Sequence, residues 1–151
     1  MCFMEQELRI KRSLIPGAGK GVFTKVDIDK DEIITEFTGE KVSHTMGVAR
    51  FILKQSHSIL YLNNTYSLDS YADKDCLATF INDAKGLKRI PYKRNNVLLV
   101  RERGRLFVIA KRKITAGEEL YMSYGSGYWR AIQTYHMKDG KFLPLKEKTN
   151  K

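Results

Sequence analysis

Apolar residues along this chain come in short runs, each ended by charge, asparagine or glycine. Ile33-Ile34-Thr35-Glu36-Phe37-Thr38 is β-branched and aromatic and predicts a strand. Val97 to Val100 and Leu106 to Ala110 flank Glu102-Arg103-Gly104 and predict an antiparallel pair. Leu8 to Ser13 reads as an edge strand, and Val22-Phe23 begins another. Thr65 to Asp69 alternates as a strand behind the turn residues Asn63-Asn64. Ile114 to Leu120 contains a turn, and Tyr121 to Tyr124 extends from it. Helical spacing is scarce. Val48, Phe51 and Ile52 predict a short helix from Met46 to Gln55, Cys76 to Asn82 one or two apolar turns, and Tyr128 to Met137 a last helix. The pattern is a helix-poor β architecture with frequent glycine turns.

Composition bounds this picture without changing it. With 151 residues, 17.4 kDa and 42% hydrophobic residues, one domain with a real core is expected. No apolar run approaches the ~18 residues of a transmembrane helix. Met1 to Arg12 lacks the apolar stretch of a signal peptide, so a nuclear or cytoplasmic setting is expected. Cys2 and Cys76 are too few for a four-thiolate zinc site or a disulfide scaffold.

Charge adds a direction. The net charge of +10 attracts acidic partners. Lys85, Lys88, Arg89, Lys93, Arg94, Arg101, Arg103 and Arg105 face only Glu102 in that stretch, and Lys111-Arg112-Lys113 follows. Such a patch suits a solvated face, a DNA or nucleosome contact, or the steering of a peptide, and alone it identifies no chemistry.

The glycine-rich turn Leu14-Ile15-Pro16-Gly17-Ala18-Gly19-Lys20-Gly21 fails two familiar tests. A phosphate loop needs Ser or Thr after its lysine, and here Lys20 precedes Gly21. A dinucleotide fingerprint needs Gly-x-G-x-x-Gly behind a long strand, and these glycines stand at 17, 19 and 21. His44, His57 and His136 lack metal-ligand spacing with the cysteines, and Asp69, Asp73, Asp75 and Asp83 are not an EF-hand, so no metal site is expected.

Taken together, several segments resemble the SET domain, the fold of a large class of protein lysine methyltransferases. They are Gly17 to Phe23 with the following cadence Ile28, Glu32, Ile34, Glu36, Phe37 and Gly39; Thr65-Tyr66-Ser67-Leu68-Asp69; Phe80-Ile81-Asn82-Asp83; and Ile114 to Gly125. The resemblance implies a mostly β fold of the β-clip kind: small curled sheets, few short helices, and a knot-like crossing of the Asn82 and Tyr124 segments. It implies a single SET domain over residues 1–137 with a C-terminal flanking helix, and a basic tail over 138–151.

It also implies an S-adenosyl-L-methionine site. Gly17, Ala18, Gly19, Lys20, Gly21 and Val22 would lie against the cofactor through their backbones, since a β-carbon at Gly17 or Gly19 could block a close approach. Asn82 matches the family asparagine beside the cofactor, and Tyr124 matches the catalytic tyrosine. Trp129 is a candidate to cover the adenine. Tyr61, Tyr66 and Met122 are candidates for the substrate channel, with aromatic rings against a cationic amine. Met122 replaces the Phe or Tyr that helps set methyl number and leans toward more than one methyl. Asp69 is expected to bind backbone or an arginine structurally.

The chain also departs from the family. Asp83 stands where histidine is usual, and an acid there threatens cofactor binding or packing. Ala84 to Arg94 reads as a basic insertion, with Asn95 or Asn96 in the place of the family's later asparagine. The expected function is methyl transfer to a protein lysine, with a histone as the natural substrate. Nucleosomal DNA contact through Lys85–Arg94 and a homodimer are further partner expectations, and no membrane is expected. Glu36, Glu40, Asp69, Asp73 and Asp75 are candidates for an acidic peptide face. The alternative is an inactive SET fold that binds chromatin or DNA through its basic loop.

Overall fold

The computed structural model describes residues 3–86, 91 and 93–144. Strand β1 (Leu8–Arg12) pairs antiparallel with β2 (Lys20–Thr24), setting Arg12 opposite Lys20 around the glycine turn. The chain continues through β3 (Ile33–Phe37), β4 (Glu40–Ser43), α1 (His44–Ile52), β5 (Ile59–Tyr61) and β6 (Tyr66–Asp69). After 3-10 turns at Ser70–Ala72 and Leu77–Phe80 come β7 (Val97–Glu102), β8 (Arg105–Ala110), α2 (Ser126–Ala131), a π-helical turn at Ile132–His136, and the small pair β9 (Met137–Lys138) and β10 (Lys141–Phe142). The result is a strand-rich mixed fold with few short helices.

Two compact units form. The first contains the described residues of Met1–Phe37 and Cys76–Tyr124. Its sheet has the order β3-β8-β7, all antiparallel, and the expected hairpin closes through Glu102 opposite Arg105. Ile34, Leu106 and Val108 are fully buried between β3 and β8. Each such side chain stabilises by about 1.5–3 kcal/mol. The segment from Ile114 to Tyr124 is not a strand but an extended ribbon held by isolated bridges. These join Ile28 to Ile114 and Phe23 to Glu119 antiparallel, and Asn82 to Tyr121 and Val97 to Met122 in parallel.

The second unit contains the described residues of Thr38–Asp75 and Gly125–Lys151. Its sheet has the order β4-β6-β5. β4 and β5 escape the sequence pattern because Glu40–Ser43 holds a single apolar residue and Ile59–Tyr61 shows no alternation. The expected Met46–Gln55 helix starts two residues earlier, where the Ser43 side chain accepts from the Met46 amide, and it ends at Ile52. Its buried face also differs from the expected one. Val48 is 57% exposed and Ile52 40% exposed, while Gly47 is buried; a β-carbon at Gly47 would lie 3.0 Å from Ile59 Cγ2. Close backbone approach, rather than an apolar stripe, sets that contact. The expected Tyr128–Met137 helix is α2 followed by the π turn, and it ends as Met137 becomes extended.

Among the described residues, no helix is long and apolar enough to cross a membrane, and no cluster of His, Cys, Asp or Glu could hold a metal ion.

Candidate active site

The glycine turn closes through Ser13 N donating to Gly19 O at 2.8 Å. Gly17 and Gly19 have φ of +79° and +73°, and a β-carbon at either would meet nothing within 4 Å. Their requirement is therefore conformational, and the space beside them is open. Gly21 differs. It is buried in β2, and a β-carbon there would lie 2.1 Å from Glu119 Oε1. Val22 is fully buried, and its carbonyl accepts from Leu120 N at 2.8 Å. The exposed Lys20 offers its carbonyl to Asn82 Nδ2 at 2.9 Å.

Glu119 is the residue that sequence reasoning missed. It lies inside the Ile114 to Gly125 motif, yet its role depends on partners far along the chain. The carboxylate is 2% exposed and accepts from Ser13 Oγ at 2.6 Å, Leu14 N at 2.8 Å and Tyr121 OH at 2.8 Å, with Asn82 Nδ2 at 3.4 Å. It ties the start of the glycine turn to the asparagine segment. Burial, reinforced by the bond to Glu119, pushes the Tyr121 phenol well above its ordinary value.

The Ile81 to Asp83 segment runs beside the ribbon that carries Tyr124. Asn82 O accepts from Met122 N at 2.8 Å, and Tyr124 OH donates to Ile81 O. Asp83 Oδ2 accepts from Tyr124 N at 3.0 Å. Asp83 Oδ1 accepts from Lys85 N at 2.9 Å and from Asn95 Nδ2 at 3.1 Å. The acid thus packs with its oxygens engaged, so the threat to packing read from the sequence is not realised. Asn95 and Asn96 both bond into this region. Asn95 engages Asp83 and Ala84, while Asn96, 1% exposed, donates to Glu119 O at 2.9 Å and accepts from Tyr121 N at 2.8 Å. Half of the stretch Lys85–Arg94 assigned to DNA, residues 87–90 and 92, lies outside the described residues, as do 145–151 of the basic tail.

The glycine turn, Asn82, Asp83, Met122 and Tyr124 therefore belong to the first unit and are joined by hydrogen bonds. Tyr61, Tyr66 and Trp129 belong to the second. There, Tyr61 OH donates to Asn64 Oδ1 at 2.6 Å and its ring stacks on His44 at 5.5 Å. The Tyr66 ring carries Lys41 Nζ at 5.1 Å from its centroid. Trp129 meets Tyr128 edge-on at 5.2 Å, and burial pushes the Tyr128 phenol up to about 12.

The candidate acidic face is largely engaged by arginines. Arg50 bonds Glu40 at 2.7 Å and the buried Asp69 at 2.8 Å, which raises the guanidinium pKa. The arginine partner expected of Asp69 is thus present. Arg105 bonds Glu36 at 2.6 Å.

Residues 19–125 match the sequence model of the SET domain. The chain belongs to the SET domain family. It is 34% identical over 124 residues to histone-lysine N-methyltransferase EZ1 of Zea mays, covering 80% of this chain and 13% of that protein. Histone-lysine N-methyltransferase CLF of Arabidopsis thaliana is 32% identical, with coverage of 80% and 13%. This SET domain therefore spans 13% of the length of these curated relatives. Among solved structures, an active polycomb repressive complex 2 in the basal state superposes with a TM-score of 0.63 at 28% identity, covering 79% of this chain and 15% of that one. The Chaetomium thermophilum complex, in an autoinhibited conformation bound to S-adenosylmethionine, gives 0.64 at 26% identity, covering 84% and 16%.

Proposed function

We propose that this SET domain transfers methyl groups from S-adenosyl-L-methionine to a lysine side chain of a protein, a histone first. The observation that carries the reading is the hydrogen-bonded path from the glycine turn through Asn82 to the Tyr124 ribbon. Family membership and the histone-modifying relatives support it.

The residues fit the cofactor. The turn is open beside Gly17 and Gly19, and it can present backbone groups at close range. Asn82 donates through Nδ2, while its Oδ1 takes no hydrogen bond from the described residues. That oxygen suits an ammonium group of the amino-acid part. Gly17 to Val22, Asn82, the backbone of Asp83, and Tyr124 are the proposed cofactor contacts. When bound, the sulfonium supplies an electrophilic methyl group.

The chain's part is alignment. A lysine amine must lose its proton, since its free pKa is near 10.4, and desolvation favours the neutral form. The Tyr124 hydroxyl donates to Ile81 O, and its oxygen is of the acceptor type that can orient that amine. Holding the reacting atoms in line supplies much of the rate. Met122 is proposed to shape the lysine channel.

Several finer readings belong to the same proposal. The parallel bridges Asn82–Tyr121 and Val97–Met122 support a knot-like crossing. Residues 1–137 would form the SET domain and 138–151 a basic tail. The exposed Arg103, Lys111 and Lys113 support nucleosomal DNA contact alongside Lys85–Arg94. A nuclear setting and a homodimer complete it; sedimentation of the purified chain tests the dimer.

The deciding experiment incubates the protein with radiolabelled S-adenosylmethionine and core histones or nucleosomes, beside Tyr124→Phe. Labelling of one histone, lost in the variant, is expected. Tight cofactor binding without histone labelling would move the substrate to another protein. Absence of cofactor binding would overturn the reading in favour of a basic binding module.

A further inference from the structure

Asp83 occupies the position where the family's histidine is usual, and at least three donors among the described residues converge on it. They include Tyr124 N at 3.0 Å, Lys85 N at 2.9 Å and Asn95 Nδ2 at 3.1 Å. A neutral imidazole has one acceptor nitrogen, whereas a carboxylate has two oxygens with about four acceptor sites. Only the acid can serve all of these donors. Bonds to an ionised acceptor are also shorter and roughly twice as strong as neutral ones. The site is buried, with Asp83 7% exposed.

The donors come from different places. Lys85 lies at the start of the basic insertion and Asn95 directly follows its last residue, Arg94; Asn95 Oδ1 also accepts from Ala84 N at 2.9 Å. Tyr124 closes the ribbon. The same short segment therefore grips Tyr124 twice: Ile81 O takes its hydroxyl and Asp83 takes its backbone amide. A tyrosine fixed at both ends cannot swing its hydroxyl without breaking one bond.

We infer that Asp83 is a positioning residue for Tyr124, and that Asn95 latches it by fastening the base of the basic insertion to the same carboxylate. The inference rests on the methyltransferase reading for its catalytic consequence and on geometry for the clamp. The acid and the insertion are then one device: the carboxylate that replaces the histidine is what Lys85 N and Asn95 Nδ2 need.

The test compares wild type with Asp83→Asn and Asn95→Ala, each with two readouts. The first is kcat and KM with labelled S-adenosylmethionine and histone substrate. The second is hydrogen exchange of the Tyr124 amide by nuclear magnetic resonance. Asp83→Asn keeps the shape but presents an amide donor to one of the converging donors. It is expected to lower kcat about tenfold and speed Tyr124 exchange about tenfold, with each KM within threefold. Asn95→Ala leaves the carboxylate but loosens it, and about a threefold change in the same readouts is expected. A purely structural role would instead lower the active fraction and leave Tyr124 exchange unchanged in the folded protein. Unchanged exchange in both variants, or in Asn95→Ala alone if Asp83→Asn does not fold, overturns the clamp. Altered exchange with unchanged kcat overturns the positioning role. A wild-type protein that transfers no methyl overturns the methyltransferase reading, and the exchange arm then decides the clamp by itself.

Discussion

Glu119 accepts a hydrogen bond from the Ser13 hydroxyl at 2.6 Å, although 106 residues separate them. The same carboxylate holds Leu14 N and Tyr121 OH. Glu119→Ala leaves the buried Ser13 and Tyr121 hydroxyls without their acceptor, at about 1–3 kcal/mol each. A loss of about 3 kcal/mol is expected, or a Tm lower by roughly 6–12 °C for a chain of this size. Ser13→Ala removes one donor and is expected to lose only about 1 kcal/mol. Thermal melts of both variants check the ordering; equal effects would remove Glu119 as the hub.

Glycines of one turn should respond differently to alanine. At Gly17 the space is open and only the left-handed φ of +79° is strained, at about 1–2 kcal/mol. At Gly21 the new β-carbon would stand 2.1 Å from Glu119 Oε1, which its hydrogen bonds hold in place. Gly21→Ala is therefore expected to lose about 2–3 kcal/mol by overpacking, and to weaken S-adenosylhomocysteine binding through the displaced turn. Urea unfolding and calorimetric titration of the pair measure both effects.

Alkaline pH should destabilise the fold through Tyr121. Its folded pKa is raised by burial and by Glu119, so above about pH 10 the unfolded chain loses this proton first. Stability is fully present below pH 10 and falls as pH rises toward the folded value, by at most about 1.4 kcal/mol per unit for one group. Tyr121→Phe is expected to flatten that decline while lowering stability at neutral pH. Urea melts between pH 8 and 11 test this; parallel curves for the two proteins would refute it.

Met122 is 4% exposed and fixed by its amide to Asn82 O. A flexible thioether leaves more adaptable space than a ring with a polar tip. On the methyltransferase reading, wild type is expected to add more than one methyl, and Met122→Tyr to shift products toward monomethyl-lysine. Mass spectrometry of the modified peptide gives the distribution directly. Identical distributions would take Met122 out of the channel.

The legible parts of this protein were those encoded locally. The β7–β8 hairpin was readable because β-branched runs flank a turn that Gly104 closes with φ of +72°. Helix α1 was readable as an element but not by face, because the contact is made by Gly47, which carries no hydrophobic signal. Tyr124 and Asn82 stood out through motif order. Asp83 stood out too, but its bonding did not, because its donors at 85, 95 and 124 are invisible until the chain is folded.

Sequence alone determined the strand-rich class, the glycine turn and the family, since turn chemistry, side-chain alternation and motif order are properties of neighbours along the chain. Tertiary structure alone decided that Glu119 joins Ser13 to Asn82, that Gly21 is small to admit a carboxylate, and that an acid at 83 accepts from the Tyr124 amide. Hydrogen bonds require donor and acceptor within about 3 Å. Residues 106 and 41 positions apart reach that distance only after the backbone has closed its loops.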